Sequence, residues 1–273
     1  MASITDCVKE GLKYPFNDIK KILSLGVLFT IINFLALAIL EKNINIVRIF
    51  SSANGNTLAL KSSQIPPIDV WTVAGLGIIS FIILLIINGY QYSVIKYAVD
   101  KKTDLPEFSD ILNLLLNGLK YFLVSLIYNI IPIIVLIAGF ELQSIQNGDY
   151  IISVISILLF IICNFLLIMA LANMVDSNKF KKAFDLKEII GKISDLGWIK
   201  YIGIILFTFI IYSIIMLALG IVLMPFTMFI AIDTNQAVML IAILSIIEGL
   251  FINSYISIFF NRVFGLVYAE AVK

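Results

Sequence analysis

Glu248 is the residue whose type and place say most about chemistry. It stands in the apolar run SIIEGLF, near the middle of a stretch long enough to cross a bilayer. A carboxylate at that depth costs several kcal/mol unless it is paired, hydrated or protonated. Two readings follow. Glu248 is a proton or cation site inside a helical bundle, or it is a neutral acid bonded to a neighbouring helix or set closer to the interface than its run suggests. No cationic partner stands at the same depth; Lys96 and Arg262 both lie close to the lysine-rich ends of their runs. Asparagines form the second set: Asn33, Asn88, Asn129, Asn164 and Asn253 all interrupt apolar sequence. Their amides can bridge helices at about 0.6 kcal/mol each, or they can line a polar cavity together with Glu248.

Other chemistries lack their residues. The chain has no histidine, which removes the usual acid–base group near neutral pH and the commonest metal ligand. Cys7 is in the polar N-terminal stretch and Cys163 is within an apolar run, which argues against a disulfide, and two cysteines without histidine make no zinc site. No phosphate-binding loop, zinc-protease helix, nucleophile elbow or paired-carboxylate loop is present. The chain therefore reads as non-enzymatic and without a cofactor. A net charge of +1 gives no basic field for nucleic acid.

These residues must be held by membrane helices. Of 273 residues 61% are hydrophobic and 14% charged, against about 45–50% and about 25% in soluble domains. Six runs reach the roughly 20 residues that hydrocarbon requires: Ile22 to Leu40, Val70 to Val99, Tyr121 to Phe140, Tyr150 to Val175, Tyr201 to about Ile230, and Ala237 to Phe260 or beyond. Pro132 and Pro225 interrupt the third and fifth, as kinks or as broken helices of the transporter kind. Gly75, Gly77 and Gly89 suit close helix packing. Tyr90, Tyr92, Tyr97, Tyr121, Tyr201 and Tyr268 suit an interfacial belt. Sixteen Lys and Arg residues fall in the terminal segments and alternate loops, against three (Lys42, Arg48 and Lys61) on the other side. This bias puts both termini in the cytoplasm of a cell-membrane protein.

The lysine-rich segments resemble one another. Ile4, Val8 and Leu12 share one helical face; Asn113, Asn117 and Lys120 form a polar stripe; Leu186, Ile189, Ile193 and Leu196 align. Ser3 with Asp6, Asp185 with Glu188, and Ser109 or Asp110 after Pro106 read as helix starts. A phenylalanine precedes a capping residue three times, at Phe16-Asn17, Phe108-Ser109 and Phe184-Asp185. Each even-numbered span holds an asparagine: Asn88, Asn164 and Asn253. The expected fold is an all-α integral membrane bundle of six spans. It forms three repeated hairpins, at about 1–100, 101–180 and 181–273 within one domain, each led in by an amphipathic interfacial helix.

Tyr14-Pro15-Phe16 and Leu105-Pro106-Glu107-Phe108, the latter followed by Gly118 and Lys120, resemble a pattern of the prokaryotic, largely archaeal membrane family catalogued as domain of unknown function 4013. That resemblance implies a membrane fold and transfers no catalytic residue. The reading of the whole chain is a structural or accessory component with the bilayer, and a membrane protein, as partners. The alternative is a small-molecule or ion transporter built on Glu248, Asn88, Asn164 and Asn253.

Overall fold

A computed structural model describes residues 4–53, 70–141, 148–230 and 234–272, and helices account for nearly all of them. In order they are α1 (Ile4–Lys13), α2 (Ile19–Ala53), α3 (Val70–Val99), α4 (Ile111–Glu141), α5 (Gly148–Ser177), α6 (Leu186–Leu196), α7 (Trp198–Ile230), α8 (Thr234–Ile247) and α9 (Ser254–Ala271). Tyr14–Asn17 and Phe180–Phe184 form 3-10 turns, and Glu248–Asn253 forms a π segment joining α8 to α9. Six helical stretches are long and apolar enough to cross a membrane: 19–40, 71–99, 111–139, 152–177, 198–225 and 239–271. A helix satisfies every backbone polar group within the segment, which hydrocarbon demands. The protein is a multi-pass membrane protein.

Helix starts follow local chemistry. Asp185 accepts from the Glu188 amide at 3.2 Å and Asp110 from the Asn113 amide at 3.1 Å. Asp18 accepts from the amides of Lys20 and Lys21 at the start of α2. The expected cap at Ser3 lies outside the described residues. The amphipathic stretches divide unequally. The first and third are separate helices, α1 and α6, whereas Asn113, Asn117 and Lys120 lie in the opening turns of α4 itself. Gly197 explains the break after α6: at φ +93° it takes a conformation that side chains resist, and its amide closes α6 on Ile193 and Ser194.

The proline expectation changes as well. α4 runs through Pro132 and α7 through Pro225 without a break. Each proline removes one hydrogen bond, the one to the carbonyl four residues earlier, at Tyr128 and Ile221. Ser156 of α5 donates to the Pro132 carbonyl at 2.9 Å. The span boundaries shift too: α2 continues to Ala53, into the segment expected as the first outer loop. The rest of that loop, 54–69, lies outside the described residues.

The helices that carry Asn88 and Asn164, and the one that follows Asn253, touch pairwise: α3 with α9, α3 with α5, and α5 with α9. α2 lies against α3 and the π segment, and α4 against α3 and α5. Burial concentrates in the lysine-rich half. It covers most of Ile87 to Ala98 on α3, Leu167 to Val175 on α5 and Ser254 to Ala271 on α9. Farther along, Ile78, Ile79, Val154, Ile155 and Ile157 are exposed, as lipid-facing side chains should be.

Glycine sets the closest approaches. A Cβ on Gly118 would lie 2.7 Å from the Leu85 carbonyl carbon, and one on Gly89 would lie 2.6 Å from that of Leu114. α3 and α4 thus meet backbone to backbone. α2 meets the π segment in the same way through Gly26, 2.6 Å from Leu250 Cα, and Gly249, 2.6 Å from Thr30 Cα. Gly75 and Gly77, expected to mediate packing, face open space: a Cβ on either would have nothing within 4 Å. They lie in the half of α3 where the bundle is loose.

Candidate functional site

The four residues expected to form an intramembrane site stand on three elements: Asn88 on α3, Asn164 on α5, and Glu248 and Asn253 at the two ends of the π segment. Glu248 opens the π segment and is exposed on the outside of the bundle. Asn88 is buried on α3 at 9% exposure, and Asn253 is half-buried at the end of the π segment. Asn164 donates to Asn129 Oδ1 at 3.1 Å and to the Phe160 carbonyl at 2.8 Å. Asn129 in turn donates to Ser125 O at 2.8 Å, and Asn33 donates to Ser245 O at 3.2 Å. The Asn129–Asn164 and Asn33–Ser245 bonds sew α4 to α5 and α2 to α8.

The denser polar chemistry lies at the lysine-rich end. Arg262, only 2% exposed, sits in α9. Its Nε and Nη2 donate to Glu10 Oε1 at 3.1 and 2.5 Å, and its Nη1 donates to Lys102 O at 2.7 Å. The guanidinium lies 4.0 Å from the centre of the Tyr14 ring, a cation–π contact strengthened by desolvation. The Tyr14 hydroxyl donates to Asp104 O at 2.6 Å, and burial pushes its pKa up to about 12. Lys21 donates to Leu105 O at 2.7 Å and pairs with Glu107 at 2.8 Å. Tyr90 stacks on Phe108 at 4.2 Å. The Tyr14-Pro15-Phe16 and Leu105-Pro106-Glu107-Phe108 segments, far apart in sequence, are thus one assembly around Arg262 and Lys21.

A second network joins α5, α6 and α9. Lys192 pairs with Glu188 at 2.9 Å, donates to Asn173 Oδ1 at 2.6 Å and bonds the Tyr268 hydroxyl. Tyr268 also reaches Asp176 Oδ2 at 3.0 Å. Lys182 pairs with Asp185 at 3.1 Å and with Glu188. Hydrogen bonds from Lys182, first, hold both carboxyls below the usual carboxylate range; Lys192 adds to the effect at Glu188 and the Glu188 amide at Asp185. Between α1 and α9 a cavity of about 310 Å³ is lined by Asp6, Cys7, Glu10, Lys101, Arg262 and Glu270, among others. Burial, then the Glu270 charge, raises the pKa of the Cys7 thiol.

Tyrosines correct an expectation here. Tyr90, Tyr92, Tyr201 and Tyr268 are buried core residues, not a belt facing the interface. Each carries a large apolar ring into a half of the bundle rich in carbonyl and amide partners, though the Tyr90 hydroxyl finds none. Arg262 and Glu10 are not singled out by motif or spacing. Their signal is compositional: one of only two arginines in a chain of seventeen lysines sits inside the apolar run FFNRVFG, where a planar five-donor fork is worth more than an ammonium.

Six apolar helices, a polar assembly at one end and asparagine bonds between helices at Asn129, Asn164 and Asn33 define a class, a multi-pass helical membrane protein. The chain belongs to the family described as protein of unknown function (DUF4013), whose model matches residues 72–224. It is 27% identical over 283 residues to an uncharacterised protein, MJ1189, of Methanocaldococcus jannaschii, covering 97% of this chain and 96% of that one. No solved structure matches.

Proposed function

We propose that the protein is a non-enzymatic structural or accessory component of a membrane complex, in the cell membrane, with both termini and the lysine-rich end in the cytoplasm. One observation carries this reading. Three of the deep asparagines are used for helix-to-helix bonds, Asn164 with Asn129 and Asn33 with Ser245 O, while the elaborate polar assembly lies at the end that a partner could reach. The chain reads as three units in one domain. Nine residues after each of Asn88, Asn164 and Asn253 stand Tyr97, Asn173 and Arg262. Each meets a lead-in segment: Lys102 Nζ over the Tyr97 ring at 4.7 Å, Asn173 to Lys182 O at 3.0 Å, and Arg262 to Glu10. Gentle detergent extraction should recover a stoichiometric membrane partner; a lone monomer in every mild detergent would sink the accessory role. In a protein with Cys7 and Cys163 replaced by Ser, a Lys181→Cys thiol should react only from the cytoplasmic side.

The π segment supports a second reading. Such segments are rare and cluster at functional sites, and this one begins at Glu248 and ends at Asn253. In a transporter, Glu248→Gln would abolish proton-coupled uptake by reconstituted vesicles; equal uptake removes Glu248 from the mechanism.

A further inference from the structure

The three units, aligned on their asparagines and phenylalanines, are closed by two tight seams and one open one. Ten residues after Phe16 and Phe108 stand Gly26 and Gly118. These glycines lie against the backbone at Leu250 and Leu85, each three residues before the asparagine of its span, Asn253 and Asn88. The third unit has Ser194 in place of the glycine, and the matching position on α5 is Ile161. Here the helix following the phenylalanine stops at Gly197, and α7 starts afresh. α7 reaches α5 through Tyr201, whose hydroxyl donates to Phe165 O and whose ring meets Phe165 edge-on at 6.0 Å.

Where the other seams have backbone contact, this one has a groove of about 400 Å³. Ile161, Phe165 and Leu166 of α5, Ile190 of α6, and Trp198 and Ile202 of α7 line it, with no polar wall. Ile161, Ile190, Trp198 and Ile202 are all exposed. The volume is that of a small-molecule pocket, roughly 300–1,000 Å³.

We propose that this groove holds the hydrocarbon chain of an anionic membrane lipid. A membrane-spanning helix does not suit it. The α5 wall runs only from Ile161 to Leu166, a rise of roughly 8 Å at 1.5 Å per residue, against about 30 Å of hydrocarbon. The wall also presents isoleucine, phenylalanine and leucine where the closed seams present glycine, so another backbone cannot come as close. A slender chain meets neither obstacle. α6 closes the groove at the lysine-rich end. Lys187, one turn before Ile190, is exposed and has no ion pair among the described residues, so it can meet a headgroup phosphate. Trp198 at the rim suits the headgroup level.

The two tryptophans make the test direct. Trp198 lines the groove, and Trp71, 88% exposed, stands at the far end of α3. Trp71→Phe and Trp198→Phe proteins, each with one tryptophan, are reconstituted in phosphatidylcholine vesicles containing a minor fraction of phosphatidylglycerol brominated on its chains. Quenching of Trp198 should saturate at low brominated fraction and exceed that of Trp71 about threefold, a preference of about 0.7 kcal/mol. Quenching of Trp198 in simple proportion to the brominated fraction, as for Trp71, overturns the proposal. Leu166→Tyr restores the tyrosine that stands two residues after Asn88 and Asn253, at Tyr90 and Tyr255; it should bring Trp198 down to the Trp71 level. Ile162→Phe fills the same space from the exposed side of α5 and serves if the first variant does not fold by circular dichroism. Saturating quenching that survives in folded filled variants refutes the groove as its origin. Disulfide cross-linking of two chains through Ile162→Cys, in place of saturating quenching, would show a second copy as the occupant and overturn the lipid.

Discussion

Gly118→Ala adds one methyl where α3 and α4 touch. The new carbon would sit 2.7 Å from the Leu85 carbonyl carbon and 2.9 Å from the Gly89 amide nitrogen, whereas carbons pack at about 3.5–4.0 Å. Both close neighbours are backbone, so no rotamer change relieves the clash. The helices must separate by roughly 1 Å, and a gap of that size forfeits up to about half of the dispersion well for the atoms along the seam. Overpacking of this kind costs about 1–3 kcal/mol. Intrinsic propensity pulls the other way, because alanine is better than glycine in a helix by about 1 kcal/mol. Gly75→Ala and Gly77→Ala isolate that second effect, since nothing lies within 4 Å of either position. Unfolding of purified protein by sodium dodecyl sulfate in mixed micelles, followed by far-ultraviolet circular dichroism, should show Gly118→Ala unfolding at lower detergent fraction than wild type. Gly75→Ala should match or exceed wild type. If the two variants behave alike, the seam is not where the structure puts it.

Glu10→Gln leaves the buried Arg262 guanidinium without its counter-charge and should cost about 1.5–3 kcal/mol in the same unfolding assay; Arg262→Lys should not restore the wild-type value, because an ammonium cannot serve Glu10, Lys102 O and the Tyr14 ring together. Tyr90→Phe removes a buried hydroxyl that has no partner and keeps the ring on Phe108, so stability should hold or rise by about 1 kcal/mol; a clear loss would mean the hydroxyl is bonded in solution. Folding lowers the pKa of Asp185 and Glu188, so their ion pairs stabilise the protein above the ordinary carboxylate values near 4, and this support fades as pH falls through the depressed ones. Glu188→Gln should flatten that acid limb of a stability–pH profile and leave the neutral region's slope unchanged. Cys7 is buried with its pKa raised, so maleimide should label it in native protein far more slowly than in detergent-unfolded protein.

The spans were legible because hydrocarbon imposes a length and an apolar composition that residues must obey one by one. The starts at Asp110 and Asp185 were legible because a cap is a local bond, made within three residues. Packing partners were not legible. Gly75 and Gly118 look alike in sequence, and only the positions of Leu85 and Leu114 on facing helices distinguish them. The tyrosines misled for a related reason. Tyr90 and Tyr268 sit near span ends, where belts form, but the same positions face the inside when three helices converge there. Glu248 shows the opposite failure: its depth along the chain was plain, but which way it faces depends on a π segment that shifts the helix face, and no short-range signal announced one. Arg262 was visible as an oddity of composition, while its partners, more than a hundred residues away, were not.

Arg262 also sets an order of events. Its acceptors are Glu10, in α1, and Lys102 O, after α3, while Arg262 itself lies in α9 and is translated after both. Tyr255 likewise donates to Leu12 O at 3.0 Å. Until α9 arrives, Glu10 has no Arg262 guanidinium to hold it, and α1 must wait while the helices from α2 to α8 are made. α9 then closes on α1 like a clasp. A ribosome stalled before residue 262 would therefore leave α1 open to protease, and synthesis through α9 would shut it away.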